Sequence, residues 1–183
     1  RYSSSAASDV YKRQVQLIAK SKRPKTIDKV IDAIFQIQGG YALVMLTQNS
    51  LIGVRDPYGI RPLVIGKLGS SYVLASETCA FDIIGAKFIR EVENGEIVLI
   101  EKNELKSIKP FPLKKVRPCV FEYIYFSRPD SLIGGKTAYE HRKNLGRELA
   151  KESTIDADIV VPVPDSGNAA AMGFAQELKM NFE

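Results

Sequence analysis

The sequence predicts an α+β fold followed by the opening of an α/β domain. Three observations carry that reading. A block of short, β-rich segments separated by turn residues occupies roughly residues 41–108. A proline- and lysine-rich stretch, KPFPLKKVRP, interrupts the pattern at Lys109–Pro118. A continuous apolar run, Ile159 to Val163, then meets Pro164-Asp165-Ser166-Gly167 and an Ala-rich helical pattern. A continuous run suits a strand covered on both faces of a parallel sheet.

The elements follow in order. Residues 1–14 are Ser/Ala-rich, lack an apolar period and read as a non-native or disordered tail. From Val15, apolar residues suggest the end of a helix, with Lys20, Lys22 and Arg23 suited to its negative pole. Thr26 is placed to cap the next helix. There Ile27, Val30, Ile31, Ile34 and Phe35 form a core-facing stripe, and Gly39-Gly40 is expected to end it. YALVMLTQ, LIGVRDP, PLVIGKL and SYVLASE read as strands, with tight turns at Asn49-Ser50 and Gly69-Ser70. ETCAFDII, ahead of Gly85, reads as a short helix. EIVLIEKNELKSIK reads as a hairpin turning near Lys102-Asn103. After the proline-rich linker, CVFEYIYF reads as a buried or interface strand. Thr137 to Glu140 has the spacing of a capping box and opens a helix to about Glu152.

Composition narrows the chemistry. The chain has 183 residues, is 45% hydrophobic and carries a net charge of +5, a mild excess that favours neither nucleic acid nor a membrane surface as partner. No apolar run approaches the length that crosses a bilayer, and the first residues lack the apolar core of a secretory signal. Two cysteines 40 positions apart and a single histidine cannot build a four-ligand zinc site or a disulfide-stapled domain, which favours reduced thiols in the cytoplasm. Cys79 reads as a small buried hydrophobe, and the lone His141 as a helix-surface residue.

Two strings remain. In RDPYGIRPL, Arg55 and Arg61 flank a tight turn. They read as ties to neighbouring carbonyls, although such a pair can also grip a carboxylate. In VVPVPDSGNAA, the loop between strand and helix offers backbone N–H groups to an anion, which makes Asp165 and Ser166 binding candidates. The same two residues are equally suited to capping the helix.

Taken together, YALVMLTQNSLIGVRDPYGIRPLVIGKL, YVLASETCAFD, CVFEYIYFSRPDS and VVPVPDSG resemble the glutamine phosphoribosylpyrophosphate amidotransferase family. RDPxGxRPL is shared with related glutaminase domains. FEYIYFSRPDS joined to VPVPDSG points to this family. The resemblance implies a tail at 1–14, the later part of an N-terminal-nucleophile (Ntn) glutaminase sandwich (αββα) over 15–116, and the start of a type I phosphoribosyltransferase domain over 117–183. It implies a parent enzyme that moves ammonia from glutamine to phosphoribosylpyrophosphate, giving 5-phosphoribosylamine, glutamate and pyrophosphate, the first committed step of purine synthesis. Mg2+ would serve the transferase half, and the full-length protein would be a homo-oligomer. The family's nucleophile is an N-terminal cysteine whose own α-amine is the base. This chain begins Arg1-Tyr2, so no catalytic residue is assigned and the chain is expected to be an inactive fragment lacking both ends. By resemblance Asp165 and Ser166 lie near the pyrophosphate site. Cys119 matches the cysteine that ligates a [4Fe-4S] cluster in some members, which takes four thiolates in all. The rival reading is a non-catalytic interaction or regulatory module on the same scaffold.

Overall fold

A computed structural model describes residues 5–183, with side chains described from Lys12 onward. The chain divides between Gly40 and Tyr41 into two compact units. The first holds helices α1 (Ser5–Lys20) and α2 (Thr26–Ile34). Residues 1–4 of the expected tail lie outside the described residues, but 5–14 continue α1. Their sequence has no apolar period, yet it also has no Gly or Pro to stop a helix, and Ala, Lys, Arg and Gln propagate one well. Helix α2 buries Val30, Ala33 and Ile34 of its stripe, while Phe35 is exposed. Its cap position is Lys25 rather than Thr26, and the helix stops at Ile34, five residues before Gly39. Asp32 ties the two helices by accepting from Ser21 Oγ at 2.7 Å and pairing with Arg23.

The second unit begins with seven strands: β1 (Ala42–Leu46), β2 (Leu51–Arg55), β3 (Val64–Leu68), β4 (Ser71–Ala75), β5 (Lys87–Glu91), β6 (Ile97–Glu101) and β7 (Glu104–Ile108). They form two antiparallel sheets, ordered β1-β2-β6-β7 and β4-β3-β5. Every expected hairpin is present. In the β6–β7 turn, Lys102 and Asn103 both adopt positive φ, as a two-residue turn of matching twist demands. The sheets meet through Leu63, Ile65, Val92 and Val98, with Ala42, Tyr72, Leu74 and Leu105 packed around them. Gly53 sits at this interface because a Cβ there would meet Leu74 at 2.8 Å. On the outer face of the three-stranded sheet lies α3 (Cys79–Ile84), whose Phe81 packs with Val64 and Ala86. Gly85, at φ 69°, closes that helix. This is a two-sheet sandwich carrying a helical layer.

Beyond the sandwich the structure corrects two expectations. Residues 109–119 form no helix or strand, and Glu122–Phe126 is a π-helical turn, not a strand. Its Ser127 N–H reaches back five residues to the Glu122 carbonyl. The aromatic run therefore winds Phe121, Tyr125 and Phe126 into one exposed, mutually packed cluster rather than alternating them across a sheet. After the short hairpin β8 (Leu132–Ile133) and β9 (Lys136–Thr137) comes α4 (Ala138–Glu152), capped as expected by Thr137 Oγ1 accepting from the Glu140 N–H. Helix α4 buries Ala138, Arg142, Gly146 and Ala150, a stripe four residues apart, and packs against α5 (Asn168–Leu178) where Gly146 meets Ala170. The expected buried strand 159–163 is only two residues long: β10 (Ile159–Val160) pairs parallel with β11 (Asn181–Phe182). Val161 and Val163 are exposed, so this run is not covered on both faces here. The parallel pairing itself agrees with the α/β reading.

Candidate functional site

The RDPYGIRPL string shapes one wall of a cavity of about 340 Å³. Asp56, fully buried at the end of β2, organises the loop. Its Oδ1 accepts from the Tyr58 N–H at 2.9 Å, and its Oδ2 accepts from Ile60 at 2.9 Å, Arg61 at 3.3 Å and Tyr41 at 3.4 Å. Its carbonyl accepts from the Gly59 and Gly95 amides. Gly59 needs its φ of +64° for that turn. The arrangement is an Asx turn enlarged into a four-amide cradle around a buried carboxylate.

Arg55 is structural, as expected. Its guanidinium donates to the carbonyls of Arg61, Val92 and Gly59 and pairs with Glu91. Arg61 pairs with buried Glu122 at 3.1 Å and lies 5.0 Å from the centre of the Phe126 ring. The loop thus grips the π-turn with charge and cation–π contact. Two backbone bonds dock the linker on the same loop: Arg117 N–H to Tyr58 O and Cys119 N–H to Ile60 O.

Cys119 is half-buried on the cavity wall, where Glu77, Glu122, Ser131 and Leu132 also stand. Cys79 is buried at the first position of α3, its Sγ 3.9 Å from Glu77. Among the described residues no three His, Cys, Asp or Glu side chains come together as a metal site. Asp165 and Ser166 lie elsewhere, exposed on the turn that leads into α5, and neither is part of the cavity lining. Neither side chain caps the helix, whose cap position is Gly167. A Cβ on Gly167 would meet the Val163 carbonyl at 2.6 Å, so this turn closes tightly over the end of the apolar run.

Several site residues are not apparent from the local sequence. Arg142 is buried on α4 and donates to the carbonyls of Tyr123 and Ser127, satisfying acceptors of the π-turn. Burial holds its pKa below the usual guanidinium range. Glu122 accepts from Ser127 Oγ at 2.9 Å. Glu77 and Thr78, at the β4–α3 turn, bond to residues more than fifty positions away. The only advance signal for Glu77 is its place in the string YVLASETCAFD.

Comparison with known proteins accords with this architecture. Residues 10–82 match the glutamine amidotransferase domain model. An amidophosphoribosyltransferase of Rhizobium etli is 53% identical over 174 residues, covering 92% of this chain and 35% of that protein. The Bacillus subtilis amidophosphoribosyltransferase is 45% identical over 168 residues, covering 91% of this chain and 35% of its own length. The solved B. subtilis glutamine phosphoribosylpyrophosphate amidotransferase, complexed with ADP and GMP, superposes with a TM-score of 0.89 at 44% identity. That superposition covers 93% of this chain and 37% of the solved one. The chain therefore spans about a third of the length of the relatives it matches. The class is that of the glutamine amidotransferases, with the antiparallel two-sheet core of an Ntn glutaminase. Within it, the chain belongs to the amidophosphoribosyltransferase family.

Proposed function

We propose that this chain is the stretch of a glutamine-dependent amidophosphoribosyltransferase in which the glutaminase sandwich passes into the phosphoribosyltransferase domain. The complete enzyme takes ammonia from glutamine and joins it to phosphoribosylpyrophosphate, releasing glutamate and pyrophosphate and forming 5-phosphoribosylamine for purine synthesis. The observation that carries this reading is the 53% identity running over 174 residues, through sandwich and following segment together. A glutaminase scaffold borrowed for another purpose would need to match only the sandwich. The boundary falls near 116–117, where the linker docks on the Asp56 loop.

Within this reading, Asp165 and Ser166 contribute to the pyrophosphate end of the substrate site. Their exposed turn and the amides at the start of α5 suit an anion. Mg2+ would neutralise charge on the leaving pyrophosphate. No three-ligand group is assembled among the described residues, so Asp165 would serve the metal only together with ligands from elsewhere in the longer protein. A [4Fe-4S] cluster takes four thiolates, and the chain has two cysteines, one buried in the first turn of α3. Cys119 fits such a cluster as one ligand only, the others coming from elsewhere in a longer protein. Neither cysteine acts as the glutaminase nucleophile, a role the family gives to a terminal cysteine with a free amine. The chain by itself is inactive, and the longer protein works in the cytoplasm as a homo-oligomer without nucleic-acid or membrane partners. No helix among the described residues is long and apolar enough to cross a membrane.

The test is a product balance. The longer protein, given glutamine, phosphoribosylpyrophosphate and Mg2+, is expected to release glutamate and pyrophosphate together, and the 183-residue chain neither. Absence of pyrophosphate release from the longer protein would overturn the assignment. Glutamate release by the short chain would overturn its inactivity.

A further inference from the structure

The segment 127–132 lies between the sandwich and α4 and is held from both sides. On the sandwich side, Glu77 Oε2 accepts from the Arg128 N–H at 2.7 Å and from Ser131 Oγ at 2.8 Å. Thr78 Oγ1 accepts from the Leu132 N–H at 2.8 Å. On the helix side, the carbonyls of Ser131 and Pro129 accept from the Ala138 and Tyr139 amides, both at 2.8 Å, in the first turn of α4. Those amides have no partner within their own helix. Further along α4, Arg142 donates to Ser127 and Tyr123. The joint is polar and only partly buried: Thr78, Glu122, Ser127, Ser131 and Arg142 are buried, Glu77 is half-buried, and Arg128 and Leu132 lie at the surface.

Apolar packing tolerates sliding, whereas several directional hydrogen bonds converging on one short segment favour one arrangement. Nature and place of these contacts point the same way. We propose that Glu77, assisted by Thr78, is a positioning residue that sets the register of α4 on the sandwich by latching residues 128–132. Glu77 stands at the turn between β4 and α3. Its carboxylate acts through the Arg128 amide and Ser131, and these act through the carbonyls that receive α4. In the amidotransferase reading, the latch keeps the glutaminase and transferase halves aligned, and that consequence rests on the proposed function.

The latch is tested first in this chain by residue-resolved hydrogen exchange. Glu77→Ala is expected to accelerate exchange at the Arg128 amide on the order of tenfold or more, the scale for losing a bond to a charged acceptor, with the first-turn amides of α4 following. Amides of Gly53 and Val98 in the sandwich should not change. Glu77→Gln keeps an acceptor oxygen and should restore most of the protection. Thr78→Val should release Leu132 alone, a result readable even where Glu77→Ala fails to fold. Unchanged protection at Arg128 and Leu132 would overturn the proposal. Uniform acceleration in Glu77→Ala, without selective release of Leu132 in Thr78→Val, would overturn it too. In the longer protein, Glu77→Ala should raise glutamate released per pyrophosphate severalfold, and Glu77→Gln should lower it again. An unchanged ratio with both rates reduced would make Glu77 merely structural. A longer protein with neither activity would overturn the functional reading, while the exchange experiment would still decide the latch.

Discussion

Replacing Asp56 is the sharpest challenge to how this fold is held together. Its carboxylate is fully buried and receives four backbone N–H groups, two at 2.9 Å and two at 3.3 and 3.4 Å. Asp56→Ala leaves these donors without an acceptor. A buried donor left unsatisfied costs about 1–3 kcal/mol. Counting the two short bonds in full and the two long ones at about half gives roughly 3–9 kcal/mol, less some relief from no longer burying a charge. A single domain of this kind has about 5–15 kcal/mol to lose, so most of the stability goes with one side chain. Asp56→Asn retains one acceptor oxygen but turns an NH2 toward an amide, at a cost of about 2 kcal/mol. Equilibrium urea unfolding followed by circular dichroism measures both. The expected order is wild type, then Asn, then Ala, with Ala largely unfolded without denaturant. An Asp56→Ala protein within about 1 kcal/mol of wild type would show that the cradle contributes little and that the loop is held by its apolar neighbours.

Other outcomes follow from the same structure. Gly146→Ala or Gly173→Ala should separate α4 from α5, because the added Cβ would lie 1.8 Å from the Ala170 carbonyl oxygen or 1.9 Å from that of Lys143. A cost at or above the usual ~1–3 kcal/mol of overpacking should lower the thermal midpoint, read by far-ultraviolet circular dichroism. Burial alone would raise the pKa of Glu96, but hydrogen bonds from Arg90, the Glu93 amide and Ser107, with the charge of Arg90, bring it below its ordinary 4.5. A lowered folded-state pKa stabilises above the unfolded value and is lost as pH falls through the folded one. The urea midpoint of Glu96→Gln should therefore lie below wild type at neutral pH and converge with it in acid. Tyr41 runs the other way: burial, then the charge of Asp56, pushes its phenol up to about 12 from 10.0. That contribution is whole below pH 10 and lost as pH rises toward 12. Ultraviolet titration should show a tyrosine step near pH 12, in step with unfolding, that Tyr41→Phe removes. A thiol reagent should label half-buried Cys119 before buried Cys79, with peptide mapping as the readout.

Much of this protein is determined by local sequence. Six of the seven sandwich strands (all but β5), their turns, α3 with its Gly85 stop and the Thr137 cap follow from short-range rules of periodicity, turn chemistry and capping. The strings RDPYGIRPL, FEYIYFSRPDS and VPVPDSG already carried the family. Tertiary structure decided the rest. Eight consecutive residues from Cys119 to Phe126 suit a strand by composition, yet Arg142 on a later helix and Arg61 on an earlier loop hold them in a π-turn. The apolar run 159–163 is strand-like, but a strand extends only as far as it has neighbours to bond, and here β11 supplies two residues. Asp56 and Glu77 look locally like ordinary turn acids. Asp56 takes three amides from the next five residues but its fourth from Tyr41, and the Arg128 amide and Ser131 hydroxyl that Glu77 receives lie more than fifty residues on. Local chemistry determines which elements form. The pairing of buried polar groups across tens of residues determines how those elements are joined, and spacing along the chain does not encode it.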